Sequence, residues 1–302
     1  MWKKFRFVGL ALVLSLSLLL AACSGGDNSG SKDSSKAVGD QVDWQITGID
    51  PGAGIMQATD RAIKEYGLDK WKLKQSSGAA MTAQLKRKYQ QKDPIIITGW
   101  TPHWMFQKFD LKFLKDPKNV YGDAEAIHTV TRKGFKQDNP GAAKILDQFH
   151  WSQDDMGKVM LATADGKKPE EAAKEWVKKN QDKVKEWTKG AKKGNGKEVK
   201  IVYVAWDSAV ASTNVIKTVL EDMGYKVTLK QVEAGPAFAG LSDGSVDAIT
   251  CVWLPVTHKS YWDKYKSKLV DLGPNLKGGA KTGLVVPKYM KDVNSIEDLK
   301  AK

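Results

Sequence analysis

One frame is written twice in this chain, and a repeat of that length leaves few folds open. The first copy reads WQITGIDPGAGIM, EYGLDKWKLKQ and DPIIITGWTPH; the second reads VYVAWDSAVASTNVI, DMGYKVTLKQ and VDAITCVWLPVTH. In both, an aspartate (Asp50, Asp207) ends an apolar run of β type and a Leu-Lys-Gln triplet follows at 73–75 and 229–231. A second apolar run then closes on Trp-x-Pro, at Trp100 and Trp253. The aspartates stand 157 positions apart and the tryptophans 153. A period that long excludes a solenoid, whose units run to about 20–50 residues, and predicts two similar lobes. A chain of 302 residues, 41% apolar, is long enough for both.

Apolar runs at 44–49, 95–98, 201–205 and 248–253 have strand length, with helical patterns at 55–66 and 215–223 between them. The alternation predicts an α/β fold in which each lobe is a mostly parallel sheet flanked by helices. Ligands of such sheets sit at the carboxyl ends of the strands, where Asp50, Trp100, Trp206 and Trp253 all fall. Between the copies, Asn139 and Pro140 predict a helix start, and Ser152 with Asp155 a capping box before 156–161. Residues 169–189 read as a continuing charged helix with Trp176 and Trp187 on one face, where packing accounts for them. Residues 190–196 are a turn-rich linker.

The ends and the charge bound the setting. Residues 1–22 read as a signal peptide: Lys3, Lys4 and Arg6 precede an apolar stretch too short to span a bilayer comfortably. Leu20-Ala21-Ala22-Cys23 resembles a bacterial lipobox, which implies lipidation of Cys23, and the polar segment 23–40 reads as a flexible tether. Cys251 is then the one other cysteine, in an apolar run where a small buried residue is expected. The formal charge of +13 falls to about +10 once the signal is removed. Nucleic acid is not an expected partner of an exported chain, and the lysines of 167–200 interleave with Glu170, Glu171, Glu175 and Glu186 as on a solvated helix surface. His103, His128, His150 and His258 show no metal-ligand spacing, so neither metal nor cofactor is expected.

The chemistry concentrates at the strand tips. Three indoles there, Trp100, Trp206 and Trp253, would present electron-rich faces to a quaternary ammonium, at about 0.5–2 kcal/mol per contact. Asp50-Pro-Gly-Ala-Gly-Ile-Met56 puts small residues where a strand turns into a helix, so the amides of Gly54 and Ile55 can face an anion. Gln57 stands where a dinucleotide fingerprint wants its third glycine, and a carboxylate suits the turn better than a pyrophosphate. His258 would add a hydrogen bond to that carboxylate or be structural; its position alone leaves both open. Asp207, Ser208 and His258 have hydrolase residue types, but no Gly-x-Ser-x-Gly elbow surrounds Ser208, so no enzyme is expected.

IITGWTPHWMF, YVAWDSAVASTNV, VEAGPAFA, WLPVTHKSY and GLVVPKYMKDVNSIEDLK resemble the glycine betaine-binding lipoproteins of bacterial osmoprotectant ABC importers, over nearly the whole mature chain. The resemblance implies a two-lobed, type II periplasmic-binding-protein-like fold in circularly permuted order. Lobe one would hold 41–130 and 286–302 and lobe two 131–285, with crossings near 128–132 and 283–287 and a terminal helix at 295–300 returning to lobe one. It assigns Trp100, Trp206 and Trp253 to a cage around the trimethylammonium, and Gly54, Ile55 and His258 to the carboxylate. It further implies a monomeric, lipid-anchored receptor on the extracytoplasmic face of the cell membrane. Such a receptor would hand glycine betaine, and proline betaine, to a permease and its ATPase; choline, carnitine or a sulfonium analogue is the alternative ligand.

Overall fold

In the computed structural model, which describes residues 37–300, each copy of the repeated frame folds as the same three-stranded parallel unit. In the first copy β1 (Gln45–Thr47) lies between β2 (Lys72–Lys74) and β3 (Ile97–Thr101). A short β4 (Leu111–Phe113) and β5 (Glu125–Arg132) lead to the second copy, in which β6 (Glu198–Tyr203) lies between β7 (Lys226–Gln231) and β8 (Ala248–Leu254). The repeated triplets fall on the matching outer strands: Ile46 pairs with Leu73 and Ile201 with Leu229. β8 is buried at every residue, as a strand covered on both faces must be.

The expectation of mostly parallel sheets needs correcting, because a final 19-residue strand, β9 (Leu269–Pro287), runs antiparallel through the middle. Its first part pairs with β5 as far as Glu125 opposite Ala280; from Lys281 opposite Thr101 it pairs with β3, and its end pairs with β4. The sheet is therefore mixed, in the order β2-β1-β3-β9-β5-β8-β6-β7. Antiparallel neighbours need no helical crossover, which lets one strand stitch two parallel units together. Pairing thus changes from one half-sheet to the other before Glu125 and between Ala280 and Lys281. Buried Asn275 ties β9 to β5 and β8 within the second half-sheet: its amide donates to Thr129 Oγ1 at 2.9 Å and to the Thr250 carbonyl at 2.8 Å.

Helices cover the sheet largely where periodicity places them, including Gly54–Glu65 after β1 and Asp207–Asp222 after β6. Ser152 and Asp155 form the expected capping box at the start of Gln153–Ala164. The charged stretch 169–189 is not one helix. Pro169–Lys179 ends at Asn180, whose side chain donates to the Trp176 carbonyl at 2.7 Å, and Gln181–Thr188 starts anew. Trp176 and Trp187 stack at 5.7 Å with planes 10° apart, and the edge of Trp151 meets Trp176 at 5.8 Å, so these indoles are core. The C-terminal turn Ile296–Leu299 packs on the first half-sheet, where the Leu299 carbonyl accepts from Trp71 Nε1 at 2.8 Å. Val38–Gln41 is a helical turn covering the last residues of the expected tether; the signal segment and Cys23 lie outside the described residues. Among the described residues no helix is long and apolar enough to cross a membrane.

Candidate functional site

The ends of β3 and β8 and the turn after β6 converge on one cavity. Trp100 is on β3, Trp253 on β8, and Trp206 is the residue before the Asp207–Asp222 helix; each is at most 7% exposed. All three line a void of about 330 Å³, mouth included, together with Gly54, Ile55 and His258, so the six residues singled out from the sequence share one cavity. Each ring is held by its neighbours. Trp253 Nε1 donates to Cys251 Sγ at 3.3 Å, Trp206 Nε1 donates to Asp50 Oδ2 at 3.1 Å, and Trp100 meets the His103 ring edge-on at 4.7 Å. Burial pushes the Cys251 thiol up to about 11, which keeps it a neutral acceptor.

The same cavity carries donors that lack an acceptor among the described residues. Gly54 and Ile55 open the Gly54–Glu65 helix, and among the described residues their N–H groups have no backbone acceptor, as expected of a first helical turn. Gly54 must be glycine here, because a Cβ would lie 1.9 Å from the Thr257 carbonyl oxygen of the other half-sheet. His258 Nδ1 accepts the Trp253 backbone N–H at 2.9 Å, and burial pushes its pKa down to about 4. The imidazole is thus neutral at pH 7 with its proton on Nε2, and that buried N–H has no partner among the described residues. An unsatisfied buried donor costs about 1–3 kcal/mol. Indole faces and three N–H groups without an acceptor among the described residues, lining one cavity, suit a ligand that is cationic at one end and an acceptor at the other.

Three supports were not read from the sequence. The buried carboxyl of Glu125 accepts the amides of Val256 and Thr257, each at 2.7 Å, and the Thr257 hydroxyl, fixing the turn that delivers His258. No local pattern marks Glu125, since its partners are more than 130 positions away. Cys251 was expected only as a small buried residue, yet its sulfur anchors a cage ring. The third is the grip of His103 and Trp104 on Asp207. Burial alone would raise the Asp207 pKa, but hydrogen bonds from His103 and Trp104 outweigh it and the carboxyl stays below the usual range. The hydrolase set is thereby taken apart: Asp207 faces His103 rather than His258, and Nδ1 of His258 is occupied by Trp253. Among the described residues no group of three His, Cys, Asp or Glu is placed to hold a metal.

Residues 29–179 and 197–302 match the family of substrate-binding domains of ABC-type glycine betaine transport systems. The chain belongs to that family. It is similar to the glycine betaine/carnitine transport binding protein of Listeria monocytogenes, at 53% identity over 98% of both chains. It also matches the glycine betaine/proline betaine-binding periplasmic protein of Escherichia coli, at 25% identity over 48% of this chain and 52% of that one. Among solved structures, lactococcal OpuAC in its closed form with glycine betaine aligns at 44% identity and a TM-score of 0.45, over 53% of this chain and 64% of that one. Family membership makes this a substrate-binding protein of an ABC transport system, a component that works outside the cytoplasm.

Proposed function

We propose that the chain is an extracytoplasmic receptor that closes on glycine betaine, and on proline betaine, and delivers it to a membrane permease driven by an ATPase. One observation carries the reading: three indoles and three N–H groups unpaired among the described residues line a single cavity. The trimethylammonium would sit among Trp100, Trp206 and Trp253, where cation-π attraction gains from the exclusion of water. The carboxylate would accept from the Gly54 and Ile55 amides, at the positive end of their helix, and from Nε2 of His258. Betaine has no hydrogen-bond donor to desolvate, whereas the primary ammonium of glycine has three, so the cage rejects glycine. Carnitine is the second reading, favoured by the name of the Listeria relative. Choline fits less well because it brings no carboxylate to the His258 N–H. Two lobes meeting at the β9 seam, a lipid anchor at Cys23, a monomeric state and the absence of catalysis complete the proposal.

Titrating the purified protein with glycine betaine while following indole fluorescence tests it. Saturable binding is expected, weakened about tenfold or more by Trp206→Ala or Trp253→Ala. His258→Ala is expected to weaken glycine betaine far more than choline. Unchanged affinity in the tryptophan variants would remove the cage, and equal losses for both ligands would remove His258 from the carboxylate.

A further inference from the structure

The two aspartates that end matching runs in the repeat do not serve their own copies. Asp50, between β1 and the Gly54–Glu65 helix, accepts the indole N–H of Trp206 from the second copy at 3.1 Å. Asp207, the first residue after Trp206, accepts from the first copy, through His103 Nε2 at 3.2 Å and Trp104 Nε1 at 2.9 Å. His103 Nδ1 accepts the Met105 N–H at 3.1 Å, so in the neutral ring the remaining proton is on Nε2, aimed at Asp207. Each contact also reaches the cage. Asp50 fixes Trp206 directly, and Asp207 fixes His103, whose ring meets Trp100 edge-on at 4.7 Å.

We infer that Asp50 and Asp207 are positioning residues that form a reciprocal clasp: the aspartate of each repeat holds an aromatic N–H of the other, coupling closure of the two halves to assembly of the indole cage. A hydrogen bond between halves exists only when they are closed, so it favours the closed state and slows ligand release; affinity is scaled by the competent fraction. The inference rests on the ligand reading above for its choice of probe, and no catalytic step is involved.

The two clasps differ in a way that makes them testable. Trp206 engages one oxygen of Asp50, so an asparagine can still accept there. Asp207 uses both oxygens, Oδ2 for His103 and Oδ1 for Trp104, so an asparagine must turn its NH₂ toward one of two N–H donors. Stopped-flow release of glycine betaine from the full-length protein is expected to quicken about tenfold or more in Asp50→Ala and Asp207→Ala, with the melting temperature of the ligand-free protein unchanged. Asp50→Asn is expected to restore slow release and Asp207→Asn to restore only part of it. Wild-type release in both alanine variants would overturn the clasp, as would a lowered ligand-free melting temperature with unaltered release. Should an alanine variant not fold, the asparagine pair decides: equal release rates overturn the inference. Should the wild type bind no glycine betaine, the ligand reading fails alone. The closed fraction is then read by single-molecule energy transfer between dyes on helices Gly78–Gln90 and Pro169–Lys179. A smaller closed fraction in Asp207→Ala supports the clasp, and an unchanged one overturns it.

Discussion

His258 shows how far one side chain can be read from its surroundings. The folded protein resists protonating it until about pH 4, while an unfolded chain takes up that proton near the ordinary value of 6.5. Between those values the unfolded state binds more protons, so stability rises with pH across the window and is lost as pH falls through it. The full shift corresponds to about 3 kcal/mol. Urea unfolding of the ligand-free protein at several pH values is therefore expected to show wild type losing up to about 3 kcal/mol more than His258→Gln between pH 7 and pH 4. Parallel curves would mean that the imidazole is not held neutral. The three tryptophans were legible because an indole at the end of an apolar run, opening Trp-x-Pro or preceding an aspartate, is poorly explained as core. The orientation of His258 was not legible: its tautomer is set by a backbone N–H five residues earlier, and only the folded turn brings the two together.

At the scale of elements, the turn after β8 is the piece that delivers chemistry, and Glu125 at the start of β5 holds it. Removing that carboxyl takes the acceptor from the half-buried Val256 and Thr257 amides, at a cost of up to about 1–3 kcal/mol each where water does not replace it. Glu125→Ala is expected to lower the melting temperature and to weaken glycine betaine. Glu125→Gln keeps one oxygen for both amides and turns its NH₂ to the Thr257 hydroxyl, which can accept, so it is expected to stay close to wild type in calorimetry and in titration. Similar losses in both variants would show that charge, rather than geometry, is what the turn needs. The parallel units were legible because apolar runs and helical periods repeat in phase. β9 was not, because Gly273, Gly278, Gly279, Lys277 and Lys281 break any alternation along it, and tertiary pairing on both edges overrides weak local propensity. The break at Asn180 was missed for the converse reason: charge spacing continues through it while the backbone does not.

For the whole molecule, the tight approach of Gly54 to Thr257 is also a test of closure. Gly54 belongs to the first copy and Thr257 to the second, and a Cβ on residue 54 would sit 1.9 Å from a carbonyl oxygen that the Glu125 network holds in place. A flexible side chain could move aside; this backbone cannot without breaking the hydrogen bonds to Glu125. If the halves separate when ligand leaves, the clash exists only in the closed arrangement, and the open protein has room for the extra methyl. Gly54→Ala is then expected to fold with a ligand-free melting temperature near that of wild type, because alanine suits a first helical turn at least as well as glycine. Its affinity for glycine betaine is expected to fall by about 100-fold or more, since the ligand must favour a state that the methyl group forbids. Small-angle scattering separates this from a merely spoiled amide site: saturating ligand should shrink the wild-type radius of gyration and leave that of Gly54→Ala unchanged. A variant that compacts normally yet binds weakly would place Gly54 in ligand contact alone. A variant with a lowered ligand-free melting temperature would mean that the two halves are already closed without ligand.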